Sequence, residues 1–325
     1  MKAKKIVAAS LACLVAAFSG SAVVAAESDF PSQPIRFVVG FPPGGSTDIV
    51  TRILAEGLTR ELKQTVVVEN KAGAGGIIAA GQVANAKPDG YTLFLGTVAT
   101  NVINPLLRKS LAFDPIKDFT MIGEVGFYTN LILVNSGSKY KTLTELVAAG
   151  KKQSMTYSSP GAGTSPHMTG EYFKLLSGMD LQHIPFSGSG PALTALMGGH
   201  VDMAFDNLPA ALGLVQSGKI KALAITSTQR IKQLPDVPTA DELGVKGMSV
   251  DAWVSVMGPA KIPADRLAIL SNALIKVLHD PETASKLEAN AITIKATKPE
   301  ELLAYITSET AKWRDVIQKS GVSIE

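Results

Sequence analysis

Residues 35–62 read IRFVVGFPPGGSTDIVTRILAEGLTREL, and this stretch decides the fold class of the 325-residue chain. It opens with a β-branched run, passes through a loop rich in glycine and proline, and continues with an apolar residue at every fourth position from Val50 to Leu62. Apolar residues at that spacing form one stripe of an amphipathic helix. The stretch therefore predicts a strand, a tight turn and a helix that packs on a sheet.

The same alternation of short apolar runs and helical patterns fills the rest of the chain. It indicates an α/β fold with largely parallel sheets that helices cover on both faces. Three helices are expected to start near prolines, because a proline loses no hydrogen bond in the first turn of a helix. The predicted strands are 66–68, 91–95, 131–134, 155–158, 181–185, 201–205, 220–225, 251–258 and 292–295, and the predicted helices are 143–151, 263–278, 281–289 and 299–319, with others beginning near Pro166, Pro191 and Pro209.

The length allows one or two domains, since a single core rarely grows much past about 250–300 residues. No Gly/Ser-rich or charged linker separates two consecutive halves of the sequence. Two domains would then be joined by ordered strands that cross between them, at about 127–134 and 250–258. This arrangement predicts a discontinuous first lobe, residues 27–128 with 252–325, and a second lobe, residues 129–251.

Residues 1–26 are predicted to be a cleaved export signal, which would place the mature protein in the periplasm. Three lysines precede an apolar run at 6–18, and small residues end at Ala26. The run is short for a membrane span of about 20 residues. Attachment of a lipid to Cys13 is the alternative, although Cys13 lies inside the apolar run.

Removal of this segment changes the charge and the available chemistry. The chain has 31 basic and 28 acidic residues, and without the three lysines 28 of each remain. A balanced charge gives no indication of nucleic acid or an anionic membrane as partner. Cys13 is the single cysteine, so the mature chain would have no thiol catalysis, disulfide or cysteine-ligated metal.

Two glycine-rich turns lead from a strand into a helix, at residues 40–48 and 158–167. Ligand sites of open α/β sheets lie at such turns, where glycines allow close approach and the free N–H groups of the helix favour an anion. Hydroxyl groups at both turns add donors, so no arginine or lysine is required. The alternative is that these Ser, Thr and Asp residues only cap their helices.

Further candidates lie at a third glycine turn, 73–76, and at Asp206-Asn207 after the strand 201–205. Asn207 is also a suitable helix cap. The sequence lacks G-x-G-x-x-G, the P-loop motif and G-x-S-x-G, and its four histidines are not closely spaced. We therefore expect no cofactor and no metal. His167 could be a packing and capping residue or a wall of the pocket, and His183 is expected to be an interior residue.

Several segments together resemble the Bug family of extracytoplasmic solute receptors, which are similar to the receptor subunit of tripartite tricarboxylate transporters. The resemblance covers essentially the whole mature chain, and the order and spacing of the segments make it specific. The segments are FPPGGSTD at 41–48, VENKAGAGG at 68–76, PDGYTL at 88–93, YSSPGAGTSPH at 157–167, PFSG at 185–188, GHVDMAFDN at 199–207 and LPDVPT at 234–239.

The resemblance implies a two-lobed clamshell of the periplasmic-binding-protein kind, each lobe a mostly parallel sheet flanked by helices, with two crossing strands as the hinge. It implies a binding protein with no catalytic residues, which closes on a small carboxylated ligand: a di- or tricarboxylate, an aromatic acid or an amino acid. The implied partner is a membrane transporter of the tripartite tricarboxylate type or a sensor protein, and the protein is expected to be a monomer.

The turns, the strand ends and the resemblance together give a set of expected ligand-binding residues. A secreted enzyme that uses Asp48 or Asp206 with His167 as acid and base remains the alternative at this point. The expected ligand-binding residues are Phe41, Gly44, Gly45, Ser46, Thr47, Asp48, Ala74, Gly75, Thr97, Ser158, Gly163, Thr164, His167, Asp206 and Asn207.

Overall fold

The computed structural model describes residues 30–324, so the predicted export signal lies outside the described residues. The described part contains ten strands that form one mixed sheet. They are β1 (Ile35–Val39), β2 (Val66–Asn70), β3 (Thr92–Thr97), β4 (Phe119–Asn135), β5 (Met155–Ser159), β6 (Leu181–Pro185), β7 (Met203–Asn207), β8 (Ile220–Ile225), β9 (Asp251–Pro259) and β10 (Thr293–Thr297).

Ten α-helices accompany these strands in the described part. A 3-10 turn, Ala74–Gly76, and a π turn, Ala99–Ile103, add to them. The helices are α1 (Ser46–Leu62), α2 (Ile77–Ala84), α3 (Asn104–Leu107), α4 (Leu143–Gly150), α5 (Ser165–Ser177), α6 (Ser189–Met197), α7 (Leu208–Gln216), α8 (Ala264–His279), α9 (Pro281–Ala289) and α10 (Pro299–Ser320).

The predicted strand, turn and helix of residues 35–62 are confirmed as β1 and α1. β1 lies between β2 and β3 and runs parallel to both, with Phe37 opposite Val68 and Leu93. Val50, Leu54 and Leu58 are buried in one hydrophobic cluster with Phe37. The four-residue spacing thus did identify the face of α1 that packs on the sheet.

The strand order is β2-β1-β3-β9-β4-β7-β5-β6, with β8 and β10 also paired to β4. The parallel pairs lie at the two ends, β1 with β2 and β3, and β5 with β6 and β7. We call the half that carries β1–β3 the first lobe and the half that carries β5–β8 the second lobe. This is the expected two-lobed α/β arrangement.

β4 and β9 are antiparallel to each other and make the sheet mixed at its centre. They pair from Phe119 opposite Pro259 to Thr129 opposite Asp251. The second half of β4 then pairs with β7 and β8. β4 therefore belongs to both lobes, and β9 returns the chain to the first.

β4 is much longer than the predicted strand at 131–134. Gly123, Glu124 and Gly126 interrupt the apolar pattern of its first half, and the register with β9 shifts at these positions. β10 pairs with the same part of β4, so the bulged segment is covered on both edges. An irregular but fully paired strand does not show the simple alternation that identifies strands in a sequence.

The C-terminal helix α10 packs across the junction of the lobes. It contacts β4, α5 and the π turn, and its Trp313 is fully buried. Trp313 belongs to a hydrophobic cluster that includes Phe94 of the first lobe and Phe205 of the second. The two lobes therefore share part of one core.

Helices long and apolar enough to cross a membrane do not occur among residues 30–324.

We predict that Gly126→Ala destabilises the fold, because Gly126 has φ +153° and an added Cβ would overlap the carbonyl oxygen of Thr293 in β10. The free energy of unfolding should fall by about 2–4 kcal/mol, measured by urea denaturation. Gly213→Ala is the control, since Gly213 is exposed in α7 and its added Cβ would meet no described atom within 4 Å other than those of its chain neighbours and its own helix backbone. That control should gain about 0.5–1 kcal/mol. Equal stability of the two variants would contradict the prediction.

Candidate functional site

A cavity of about 80 Å³ lies between the lobes, next to the crossing strands. Turns from both lobes and residues of β4 and β9 form its walls. The lining residues are Phe41, Pro42, Pro43, Gly45, Ser46, Thr47, Thr97, Val98, Ala99, Tyr128, Pro160, Thr164, Ser165, Pro166, Gly188, Ser189, Gly190, Pro191, Asn207, Ala252 and Trp253.

Four helices begin at this cavity, α1 from the first lobe and α5, α6 and α7 from the second. The first N–H groups of a helix have no partner within it and carry a partial positive charge. Within the described residues, no side chain caps α1 or α6, whose N-caps are Gly45 and Gly188. Asn207, the N-cap of α7, is also unengaged, but the Ala210 amide of that helix is bound by Ser46 of the opposite lobe. The first amides of α1 and α6, one helix from each lobe, are therefore the backbone donors left for a ligand.

The closed arrangement of the lobes is held in part by a hydrogen bond beside the cavity. Ser46 Oγ accepts from the backbone N–H of Ala210, 3.1 Å away in the first turn of α7. Ser46 belongs to the first lobe and α7 to the second. A hydroxyl of one lobe thus caps a helix of the other, which is possible only while the lobes are shut.

The remaining walls are largely apolar. Tyr128 of β4 and Trp253 of β9 are both buried and contribute aromatic surface from the crossing strands. Burial, with a smaller effect of the nearby Asp206, raises the pKa of the Tyr128 phenol well above its usual range. The phenol therefore keeps its proton and remains a donor.

Asp206, at the end of β7, lies buried beneath the cavity wall. Its Oδ1 accepts from Ser189 Oγ and from the backbone N–H of Asn207, both at 2.8 Å. Burial raises the pKa of Asp206 to about 7, although these two hydrogen bonds act against the rise. The Ser189 hydroxyl gives its proton to Asp206, so it offers an acceptor lone pair to the cavity.

Asp48 organises the turn of the first lobe. It accepts from the backbone N–H of Gly44, from Arg52 Nε and from Asn70 Nδ2, each at 2.9 Å. Burial alone would raise the pKa of this carboxyl, but the hydrogen bonds from Arg52, Gly44 and Asn70 lower it below its usual value. Asp48 is therefore ionised and engaged within its own lobe.

His167 and His183 support the turn of the second lobe from behind. His167 Nδ1 accepts from the backbone N–H of Gly163 at 3.1 Å, and its ring stacks on His183 with 4.0 Å between centroids. His183 Nε2 lies 2.7 Å from Ser159 Oγ. Burial lowers the pKa of His167 to about 4 and that of His183 to about 3, where the neighbouring His167 adds to the effect.

The structure brings seven of the expected ligand-binding residues into the cavity wall: Phe41, Gly45, Ser46, Thr47, Thr97, Thr164 and Asn207. Thr164 also caps α5, because its hydroxyl donates to Gly161 O and accepts from the N–H of His167. The other eight lie outside that lining. Ala74 and Gly75 border a second cavity between the same turns, and Gly44, Asp48, Ser158, Gly163, His167 and Asp206 lie within or behind the turns.

Sequence reasoning missed several lining residues, chiefly Tyr128, Trp253 and Ser189. Tyr128 and Trp253 lie on the strands expected to cross between the lobes. Their position on these strands is the feature of the sequence that could have identified them as lining residues. Among residues 30–324, no three His, Cys, Asp or Glu side chains converge as metal ligands.

The fold and the cavity between the lobes define the class of periplasmic solute-binding proteins. A family model described as "Tripartite tricarboxylate transporter family receptor" matches residues 50–322. The chain belongs to this family, which consists of solute-binding receptors and not enzymes. The enzyme alternative is thereby excluded.

Named relatives support this assignment. Protein BugT of Bordetella pertussis is 32% identical over 312 residues, which cover 95% of this chain and 96% of BugT. A Rhodopseudomonas palustris protein solved with adipate matches at 29% identity and a TM-score of 0.88, covering 90% of this chain and 99% of its own. MatC from the same species, solved with malate, matches at 32% identity and a TM-score of 0.84, covering 89% and 100%.

We predict that His167 and His183 make the fold sensitive to acid. His167 is buried, whereas His183, expected to be an interior residue, is half-buried in β6. An unfolded histidine takes up a proton near pH 6.5, whereas native His183 resists protonation down to about pH 3. The unfolded state therefore binds more protons as the pH falls from 6.5 to 4, and each such histidine lowers the free energy of unfolding by about 1.4 kcal/mol per pH unit.

The measurement compares variants, because Asp206, with its raised pKa, acts in the opposite direction. The stability of His183→Gln relative to the wild type should improve steadily between pH 6.5 and 4 in urea denaturation. His279→Gln, at an exposed position of α8, serves as the control. Parallel pH profiles for His183→Gln and the wild type would refute the role given to burial.

Proposed function

We propose that this protein captures a small carboxylate between its lobes in the periplasm and delivers it to a membrane transporter. One observation carries the proposal: four helix N-termini from two lobes meet at one cavity, and two of them, α1 of the first lobe and α6 of the second, leave their first amides without a side-chain cap within the described residues. These donors suit an anion held between the lobes.

Backbone amides are sufficient for this task. The cavity lining, as far as the described chain forms it, contains no lysine or arginine. A hydrogen bond to a charged group contributes about 1.5–3 kcal/mol. A few of them would offset the cost of immobilising a small ligand, which is several kcal/mol.

The relatives support the ligand class. Two structures of the fold carry malate and adipate, and both molecules are dicarboxylates. The cavity of about 80 Å³ favours a small ligand or the head of a longer one. We infer that a carboxylate sits at the backbone N–H groups of Thr47 in α1 and Ser189 in α6, beside Gly45, with Tyr128 and Trp253 covering its apolar part.

Domain boundaries, processing and partner belong to the same proposal. We place the boundaries within β4 and after the first residue of β9, with 27–128 and 252–325 in the first lobe and 129–251 in the second. The chain would be cleaved after Ala26, act as a monomer and dock on a transporter of the tripartite tricarboxylate type. Mass spectrometry of the periplasmic protein should show an N-terminus at Glu27, and a retained segment 1–26 would contradict the processing.

A thermal-shift screen with malate, succinate, adipate, aspartate and benzoate tests the ligand class. A ligand at one hundred times its Kd adds about 2.7 kcal/mol of stability, which corresponds to a rise in Tm of roughly 5 °C for a protein of this size. The neutral diamides of malate, succinate and adipate and the monoamide of benzoate, which lack the carboxylate charge, should give no shift. If none of the carboxylates raises the Tm of the folded protein, the proposal fails.

We predict that Gly45→Val blocks binding without harming the fold. Gly45 has an ordinary extended backbone, and an added Cβ would lie 3.7 Å from Pro42 O and 3.9 Å from Ser189 Oγ of the opposite lobe. The extra methyl groups of valine would enter the space between the lobes and lower the affinity by roughly tenfold to a hundredfold. Gly45→Ala, whose single Cβ fits, should lose less. Calorimetry that gives equal affinities for the two variants would refute the close approach at Gly45.

A further inference from the structure

Asn104, the first residue of α3, connects the lobes at a place outside the ligand cavity. It is fully buried, and it is absent from the residues that line that cavity. Its Nδ2 donates to Ala99 O in the first lobe and to Gly163 O in the second, both at 2.9 Å. Its Oδ1 accepts from Arg108 Nε at 3.0 Å.

The orientation of this carboxamide follows from its partners. Three carbonyl oxygens face one end, those of Ala99 and Gly163 and, at 3.5 Å, that of Gly75, so this end must be the NH₂ group. A guanidinium donor faces the other end, which must be the oxygen. Arg108 and the carbonyl of Ala99 belong to the same lobe as Asn104. They hold the second Nδ2 hydrogen in the direction of the opposite lobe.

Glycines in the turns around Asn104 leave space for its side chain. Gly163 has φ +75°, and an added Cβ there would overlap the Asn104 carboxamide. Gly75 of the first lobe has φ +66°, and its added Cβ would lie 2.9 Å from Asn104 Nδ2. Two glycines, one in each lobe, thus leave room for this side chain at the contact.

The carbonyl that Asn104 binds belongs to the ligand turn of the second lobe. Gly163 directly precedes Thr164, which lines the cavity and caps α5. When the lobes separate, Gly163 O and Nδ2 both return to water. When they close, each loses its water and depends on the other.

We propose that Asn104 is a positioning residue that latches the closed form by holding the 161–164 turn against the first lobe. The inference rests on the proposed function, because it assumes that closure captures the ligand. Asn104 touches no ligand, so it acts through the fraction of molecules that can close. A change at Asn104 therefore divides the affinity for every ligand by the same factor.

Asn104→Asp is the sharpest test, because it keeps the shape and the contact to Arg108 but replaces the donor with an acceptor opposite Gly163 O. Calorimetry with malate, succinate and adipate should show affinities lowered about five- to a hundredfold, by a common factor for all ligands that bind the wild type. Small-angle scattering should show incomplete compaction of the variant at a ligand concentration that closes the wild type.

Lys109→Met is the matched control, since it removes an exposed positive charge just after α3 and leaves the contacts of Asn104 in place. Its affinities should stay within about twofold of the wild type. Asn104→Ala provides a second variant if the aspartate variant folds poorly. Thr47→Val, a change in the lining, should by contrast alter the affinities by different factors for different ligands.

Each outcome has one meaning. If no carboxylate binds the wild type, the proposed function fails before the latch is tested. If carboxylates bind the wild type and the folded Asn104 variants equally well, the latch is refuted. If the Asn104 variants lose affinity by factors that differ among ligands, Asn104 contacts the ligand and the positioning role is wrong.

Discussion

The amides at the starts of α1 and α6, one helix from each lobe, impose the constraint on which the rest of the structure depends. A helix cannot satisfy its own first N–H groups, and here the helix ends of two lobes point to one small space. An anion held between the lobes satisfies donors from both at once. Either lobe alone offers only part of this set, so the free energy of binding is coupled to closure.

The crossing strands determine which motions are available. β4 pairs with β9 in the first lobe and with β7 and β8 in the second, so no flexible linker separates the halves. The hydrophobic cluster around Trp253 and Trp313 also continues through both lobes. Because a packed core resists gradual deformation, closure must turn the lobes about β4 and β9 without breaking this cluster, and α10 must follow.

The sequence was sufficient to predict those strands, turns and helices that depend mainly on neighbouring residues. The strand, turn and helix of residues 35–62 depend on neighbouring residues, and the prediction agrees with β1 and α1. The first half of β4 was missed because Gly123, Glu124 and Gly126 form bulges that only pairing with β9 and β10 makes stable. The reason lies in contacts more than a hundred residues apart, which periodicity within a short window does not reveal.

In the candidate site, too, local features could be predicted from the sequence, whereas features that depend on distant contacts could not. Glycine turns that open helices could be recognised from the sequence, and Gly45, Ser46, Thr47 and Thr164 do meet in one wall. The roles of individual polar groups could not be recognised from the sequence. Asp48 is engaged by Gly44, Arg52 and Asn70 of its own lobe, and Ser189 reaches the cavity through a helix that had no ligand signal. Such roles depend on which donors the fold brings within 3 Å of an acceptor.

A site made of backbone donors selects its ligand by geometry, because each N–H is fixed by its helix. Residues that set the separation of the lobes then influence affinity as much as residues in the wall, and Ser46, which caps α7 across the cavity, does both. The protonation state of Asp206, which lies beneath the cavity wall, also affects the binding of an anion. Its pKa of about 7 leaves it only partly charged near neutrality, and an anion in the cavity raises that pKa further. A proton on Asp206 thus removes the repulsion that a buried carboxylate would otherwise exert on a carboxylate ligand.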